Sequence, residues 1–189
     1  MVNFREARPN ERLQLERQLE FIFKIAHFYY ENLANKDIYI QTASEELHLF
    51  FTDKNLYHLL GIKHKQTTSR MYQDIMSRKL TVRDFYIQDF TLQKLQVMHD
   101  FSALFYGQGY VIEGKYLQVV EMEKALRTNK FILALALDRE GIKPYFPKSA
   151  LDIRRRKDLP LGDKILSVHT VDRKTGYVKY LKDEKNSKR

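Results

Sequence analysis

His58 stands inside an otherwise apolar run, Tyr57 to Ile62, that breaks at Gly61. Histidine is the side chain whose unperturbed pKa lies nearest neutrality. An imidazole held between packed apolar neighbours is therefore either a core residue bonded to backbone or a positioned acid/base. A second imidazole, His169, lies in the run Lys164 to Val171, where Leu166 and Val168 alternate with Ser167 and His169. That alternation puts Ser167 and His169 on one face of a strand. The plainer reading of His169 is an exposed strand position. Arg154, Arg155, Arg156 and Lys157 form the densest basic run, and Lys63, His64 and Lys65 follow Gly61 and Ile62. Arginine forks two hydrogen bonds to one phosphate, although such a run also suits a solvated loop. These residue types meet the demands of metal-free phosphodiester cleavage. It needs a base for the 2′-hydroxyl proton, an acid for the leaving 5′-oxygen, and cations for the phosphate. His58 and His169 are the proton-transfer candidates. Lys63, Arg154, Arg155, Arg156 and Lys157 are the phosphate-binding candidates.

Other chemistries lack their residues. The 189-residue chain has no cysteine, which removes disulfides, thiolate metal sites and cysteine nucleophiles and fits a reducing cytoplasm. None of its histidines, at 27, 48, 58, 64, 99 and 169, pairs with another at the spacing of a zinc helix motif. His27 and His99 fall beside helical apolar stripes, and His48 alternates outward from a strand. All three read as ordinary positions. There is no phosphate loop, no dinucleotide fingerprint and no nucleophile elbow. No metal and no cofactor is expected.

Charge points to a polyanion. The net charge is +9, and residues 139–189 hold fifteen Lys/Arg against seven Asp/Glu, while residues 1–138 hold eighteen against seventeen. Such a field attracts nucleic acid. Some of the twelve tyrosines and twelve phenylalanines could stack on bases, though most fall at core periodicity. No apolar run approaches the ~20 residues of a membrane span, and the N-terminus lacks a signal-peptide apolar region. A membrane partner is not expected, and the expected location is the cytoplasm of a bacterial host.

The elements that must position these groups follow from periodicity. Leu15, Leu19, Ile22, Ala26, Tyr29 and Leu33 recur at steps of four and three, which predicts a helix from a cap at Asn10 to about Ala34. Phe21, Phe23, Ile25 and Phe28 widen its apolar face, so it should be covered on more than one side. Ile38–Thr42 and Glu46–Phe51 read as a hairpin. Asp53 should cap a short helix through Leu60, with Gly61 closing it in left-handed geometry. Residues 63–68 read as a loop, and helices are expected at 69–79, 81–88 and 90–105, the second opened by Thr81 with Asp84. Strands follow at Tyr116–Glu121, Phe131–Asp138, Ile142–Phe146, Lys164–Val171 and Tyr177–Leu181. Pro144 points to an edge or a bulge. The order gives an α+β class, with N-terminal helices packed on a twisted antiparallel sheet. Residues 1–181 form one expected domain, and 182–189 a basic tail.

One pattern is specific. A long helix leads to a hairpin ending in Phe50-Phe51. Then come Asn55 to Ile62 with His58 and Gly61, a helix bearing Met71-Tyr72, the run Phe131 to Asp138, and Tyr145-Phe146-Pro147. Over about residues 15–181 the chain resembles the phage-borne nuclease-like domains of the Barnase–EndoU–Colicin–RelE superfold, type-four group. The resemblance implies an α+β nuclease-like fold and a metal-independent ribonuclease carried by phages or mobile elements. It carries over only His58 and Gly61, which stand in the matching segment. The partner expected first is RNA. The alternative is a non-catalytic phage interaction protein that reuses the fold, such as an inhibitor of a host defence complex (an anti-CRISPR, for example). A toxin neutralised by an acidic antitoxin is a third reading, and its partner would be an acidic protein.

Overall fold

The steps of four and three fold into one helix, α1 (Pro9–Asn32), in the computed structural model, which describes residues 3–116, 122–156 and 158–183. It starts just before Asn10. Pro9 takes the first helical position, where its missing N–H costs nothing, and the Glu11 carboxylate accepts the Arg8 backbone N–H at 2.8 Å. Leu15, Ile22, Ala26 and Tyr29 are fully buried, and Phe21 and Phe28 pack against the core from the flanks. The broad apolar face is thus covered on several sides.

The hairpin forms as expected, from β1 (Lys36–Gln41) and β2 (Glu46–Phe50). Helix α2 (Asp53–Leu60) follows. Its cap is Thr52 rather than Asp53, because the Asn55 side chain reaches back to accept the Thr52 backbone N–H at 2.7 Å. Gly61 closes it at φ +71°, where a Cβ would lie 3.0 Å from Thr91 Oγ1. The next region departs from expectation. Ile62–His64 is a strand, β3, rather than loop, and α3 spans Thr68–Met76. The helix expected at 81–88 is one tight turn, Val82–Asp84, followed by strand β4 (Phe85–Ile87) paired with β3. The Asp84 carboxylate accepts both the N–H and the O–H of Thr81 at 2.7 Å, and the alternation of buried Phe85 and Ile87 then favours a strand. The long helix expected at 90–105 is two, α4 (Thr91–Met98) and α5 (Phe101–Phe105), broken where His99 stacks on Phe21 at 3.7 Å between centroids.

The rest is strand: β5 (Gly109–Glu113), β6 (Lys124–Thr128), β7 (Leu133–Asp138), β8 (Phe146–Asp152), β9 (Asp163–Lys164), β10 (Ser167–Asp172) and β11 (Val178–Lys182). Of the strand expected at 116–121, Tyr116 ends a short turn from Gly114, and 117–121 lie outside the described residues. The strand expected at 142–146 begins only at Phe146 and runs on to Asp152. Lys182 belongs to β11, its ammonium donating to Ile165 O at 2.5 Å, and 184–189 lie outside the described residues.

Helices and antiparallel sheets make the α+β fold, with the strands divided among three sheets. One is four-stranded in the order β11-β10-β1-β2, one five-stranded in the order β8-β7-β6-β5-β9, and β3-β4 is a separate pair. The two large sheets are stitched at both sides. Tyr145, just before β8, exchanges backbone hydrogen bonds with His48 O (2.8 Å) and the Phe50 N–H (2.9 Å) on β2. At the other side, Ile165 bonds Gly109 O and Leu166 bonds Gln41 O, so the chain passes from β9 in one sheet to β10 in the other. Each side of the four-stranded sheet has its own character. Ile38, Ile40, Leu47, Leu49, Val168 and Thr170 are buried inward, and the alternate residues face out. Strand β7 is buried on both sides. Leu133, Leu135 and Leu137 join the main core, and Ala134 joins a smaller cluster with Ile112, Ala125, Ile153 and Leu159.

Candidate functional site

The outer face of the four-stranded sheet gathers rings in a row. Register places His48 on β2 opposite Tyr39 on β1, Tyr39 opposite His169 on β10, and His169 opposite Tyr180 on β11. The rings stack edge-up across all four strands. Centroids lie 4.7 Å apart for His48–Tyr39, 5.0 Å for Tyr39–His169 and 5.3 Å for His169–Tyr180, and the first two pairs are within 14° of parallel. Their faces are spent on one another. What the row offers outward is its polar edges, two imidazoles and two phenols. That geometry suits hydrogen bonding and proton transfer better than base stacking.

Charge is arranged at one end of the row. His48 Nε2 meets Asp37 Oδ1 at 2.7 Å, and Arg173 forks two hydrogen bonds of 2.7 and 2.8 Å onto the same carboxylate. The Arg173 guanidinium also lies 3.7 Å over the Phe50 ring. Arg173 is the main reason that the Asp37 carboxyl is held below its ordinary range, with His48 a smaller one. Asp37 thus stays ionised and fixes His48 through Nε2, and Nδ1 has no hydrogen-bond partner among the described residues. Neither ring nitrogen of His169 has a partner among the described residues. The Arg173 end opens into a cavity of about 430 Å³ that Asn55, Lys143 and Phe146 help to line.

A second region lies between α4 and β8. His58 is exposed on α2, and its Nε2 bonds the Lys148 carbonyl of β8 at 2.8 Å. The Lys94 ammonium sits 3.4 Å from the His58 carbonyl. Lys94, Arg155 and Arg156 line one cavity of about 740 Å³. Among the described residues, no three His, Asp or Glu side chains converge as metal ligands would, and no helix is long and apolar enough to cross a membrane.

The family model described as phage-Barnase-EndoU-ColicinE5/D-RelE like nuclease 4 matches residues 21–186. The chain belongs to this family. It is a phage nuclease-like domain, and the matched span takes in both the ring row and the α4–β8 cavity. No curated protein and no solved structure matches the chain.

Within the phage nuclease-like domain, the expected residues fall on separate surfaces. His169 is in the row. His58 instead contacts β8 and α4, and no contact joins it to His169. Arg155 and Arg156 reach the cavity near His58, but Arg156 pairs with Asp158. Arg154 is committed to Asp152 at 2.6 Å and is not a cavity-lining group. Lys63 lies on β3 opposite Tyr86, with its ammonium 5.9 Å over Phe4. Lys157 lies outside the described residues. His64 is buried, its Nδ1 accepting the Gln66 N–H and its Nε2 3.4 Å from Asp74, and Lys65 pairs with Glu6. Sequence reasoning passed over His48, Asp37, Tyr39, Tyr180 and Arg173. The alternation that turned His169 outward does the same for His48 and Tyr39. Only the register, set by pairing of distant strands, shows that they meet.

Proposed function

We propose that this phage nuclease-like domain cleaves RNA without a metal ion, on the open face of its four-stranded sheet. The ring row carries the reading. It sets two imidazoles on either side of one tyrosine, with a carboxylate–arginine pair behind one of them. His169, free of any carboxylate, takes the proton of a ribose 2′-hydroxyl. That oxygen attacks the adjacent phosphorus, and the bond to the 5′-oxygen breaks. His48, its Nε2–H held by Asp37, gives its Nδ1 proton to the leaving oxygen as the general acid. The products are a 2′,3′-cyclic phosphate and a 5′-hydroxyl. The Tyr39 hydroxyl and the uncommitted Nη1 of Arg173 can donate to the phosphate as its charge grows.

The test is cleavage of a mixed RNA pool in a chelator, with product ends identified by mass spectrometry. Wild-type protein should leave cyclic phosphate ends. His169→Ala and His48→Ala should each lose about 10²- to 10⁴-fold in rate. His58→Ala should cut as wild type does. If His58→Ala abolishes cutting while His169→Ala does not, the reaction belongs to the α4–β8 region. A wild-type protein that cuts no RNA sinks the reading outright.

A further inference from the structure

The α4–β8 cavity has walls of one chemistry and a rim of another. Leu151 and Ile153 of the β8 region supply apolar wall, and the Phe90 ring stands 68% exposed at its lip. Lys94 lies within it, partly buried, and among the described residues its ammonium meets only neutral oxygens, His58 O and Gln88 Oε1, each at 3.4 Å. Burial alone lowers its pKa, and no carboxylate acts against that. Arg155 lines the same cavity, is exposed, and has no ion-pair partner among the described residues. The two carboxylates nearby are already used. Asp89 holds Arg5 at 2.8 Å, and Asp152 holds Arg154 and Gln93. The cavity therefore has two cations in want of an anion, beside an apolar wall with an exposed ring. The Gln88 amide nitrogen, with no partner among the described residues, adds a directed donor.

An ammonium held away from water without a counter-ion is costly, and an incoming anion recovers that cost. Phosphate alone would leave the apolar wall and Phe90 unused, and an apolar ligand would leave Lys94 unpaired. We infer that the α4–β8 cavity binds a nucleoside monophosphate group, with its base against Phe90, Leu151 and Ile153 and its phosphate between Lys94 and Arg155. About 740 Å³ accommodates such a group. The same chemistry is offered by a free mononucleotide and by one nucleotide of an RNA strand. The inference does not depend on cleavage at the ring row.

Isothermal titration calorimetry of the full chain with AMP tests it, with adenosine and inorganic phosphate as half-ligands. AMP should bind more tightly than either half. Lys94→Met and Arg155→Gln should each weaken AMP on the order of tenfold or more, as expected for loss of a charge-assisted hydrogen bond. Arg155→Gln alters an exposed side chain and keeps the test valid if Lys94→Met does not fold. His169→Ala should bind AMP as wild type does, so failure of the cleavage reading leaves this result standing. A tetranucleotide that binds tighter than AMP and displaces it identifies RNA as the source, and equal affinities identify the free nucleotide. AMP binding unchanged in both cavity variants, or no binding of AMP or tetranucleotide, overturns the inference.

Discussion

Asp37 links the chemistry of the row to the stability of the sheet that carries it. Its carboxyl is held below the ordinary value of 3.8, chiefly by Arg173. A carboxylate lowered in this way contributes stability above its unfolded pKa, and that contribution is lost as pH falls through the folded one. Arg173→Gln should therefore destabilise the protein most near pH 7, with the difference from wild type shrinking as pH drops below about 4. Urea midpoints measured down that range check it, and a pH-independent difference would rule out the Arg173–Asp37 pair as the cause. At this scale the sequence showed His169 correctly as an outward strand residue. It also showed His48 as an outward residue, but without the neighbour that makes it useful. Arg127 was the opposite case. Its charge reads as surface, yet it is fully buried, 4.0 Å over Phe131 and bonded to the carbonyls of Pro160 and Thr128.

Elements whose ends are set by local chemistry were the legible ones. Gly61 closes α2, and the Asp172–Gly176 turn joins β10 to β11. The cap expected at Asn10, however, lies inside α1, which starts at Pro9 with Arg8 as its cap, because Pro9 suits the first helical position and Glu11 accepts the Arg8 N–H. Gly61 also accepts the Thr91 hydroxyl at 2.6 Å, fixing the end of α2 to the start of α4. Gly61→Ala should cost about 1–2 kcal/mol for its left-handed backbone, read as a lower thermal midpoint. Because the same residue seats Lys94 against α2, that variant should also weaken AMP binding. Where tertiary pairing overrode local pattern, the sequence misled. Phe85–Ile87 continued a helical register on paper but pairs with β3. Strand β6 was hidden because Lys124 and Arg127 interrupt its apolar pattern, each for a reason only the fold supplies. Lys124 bridges Glu45 and Glu113 at 2.6 and 2.7 Å, and Arg127 fills the space under the 159–161 segment.

At the scale of the whole molecule, the +9 charge has to act largely through cations outside the run at 154–156, where Arg154 and Arg156 are already paired with Asp152 and Asp158. RNA affinity should still fall steeply with salt. With about six phosphates neutralised, it should drop roughly 10³-fold between about 50 and 200 mM salt. Fluorescence anisotropy with a labelled oligomer measures the slope, and a flat response would exclude phosphate-dominated binding. Leu135 lies on β7, an interior strand of the five-stranded sheet, fully buried in the main core. Leu135→Ala should cost about 2–5 kcal/mol by denaturant titration, without altering the residues of either surface.

The stitched sheets carry one more consequence, for the protein's own synthesis. The ring row joins β1 to β10, and Arg173 clasps Asp37 across 136 residues of chain. His48 and Tyr39 are therefore made long before His169 and Tyr180. Chains fold from the N-terminus as they emerge, and pairings between distant segments form last. If the row is the cutting site, a nascent chain has no complete one until β10 and β11 have left the ribosome.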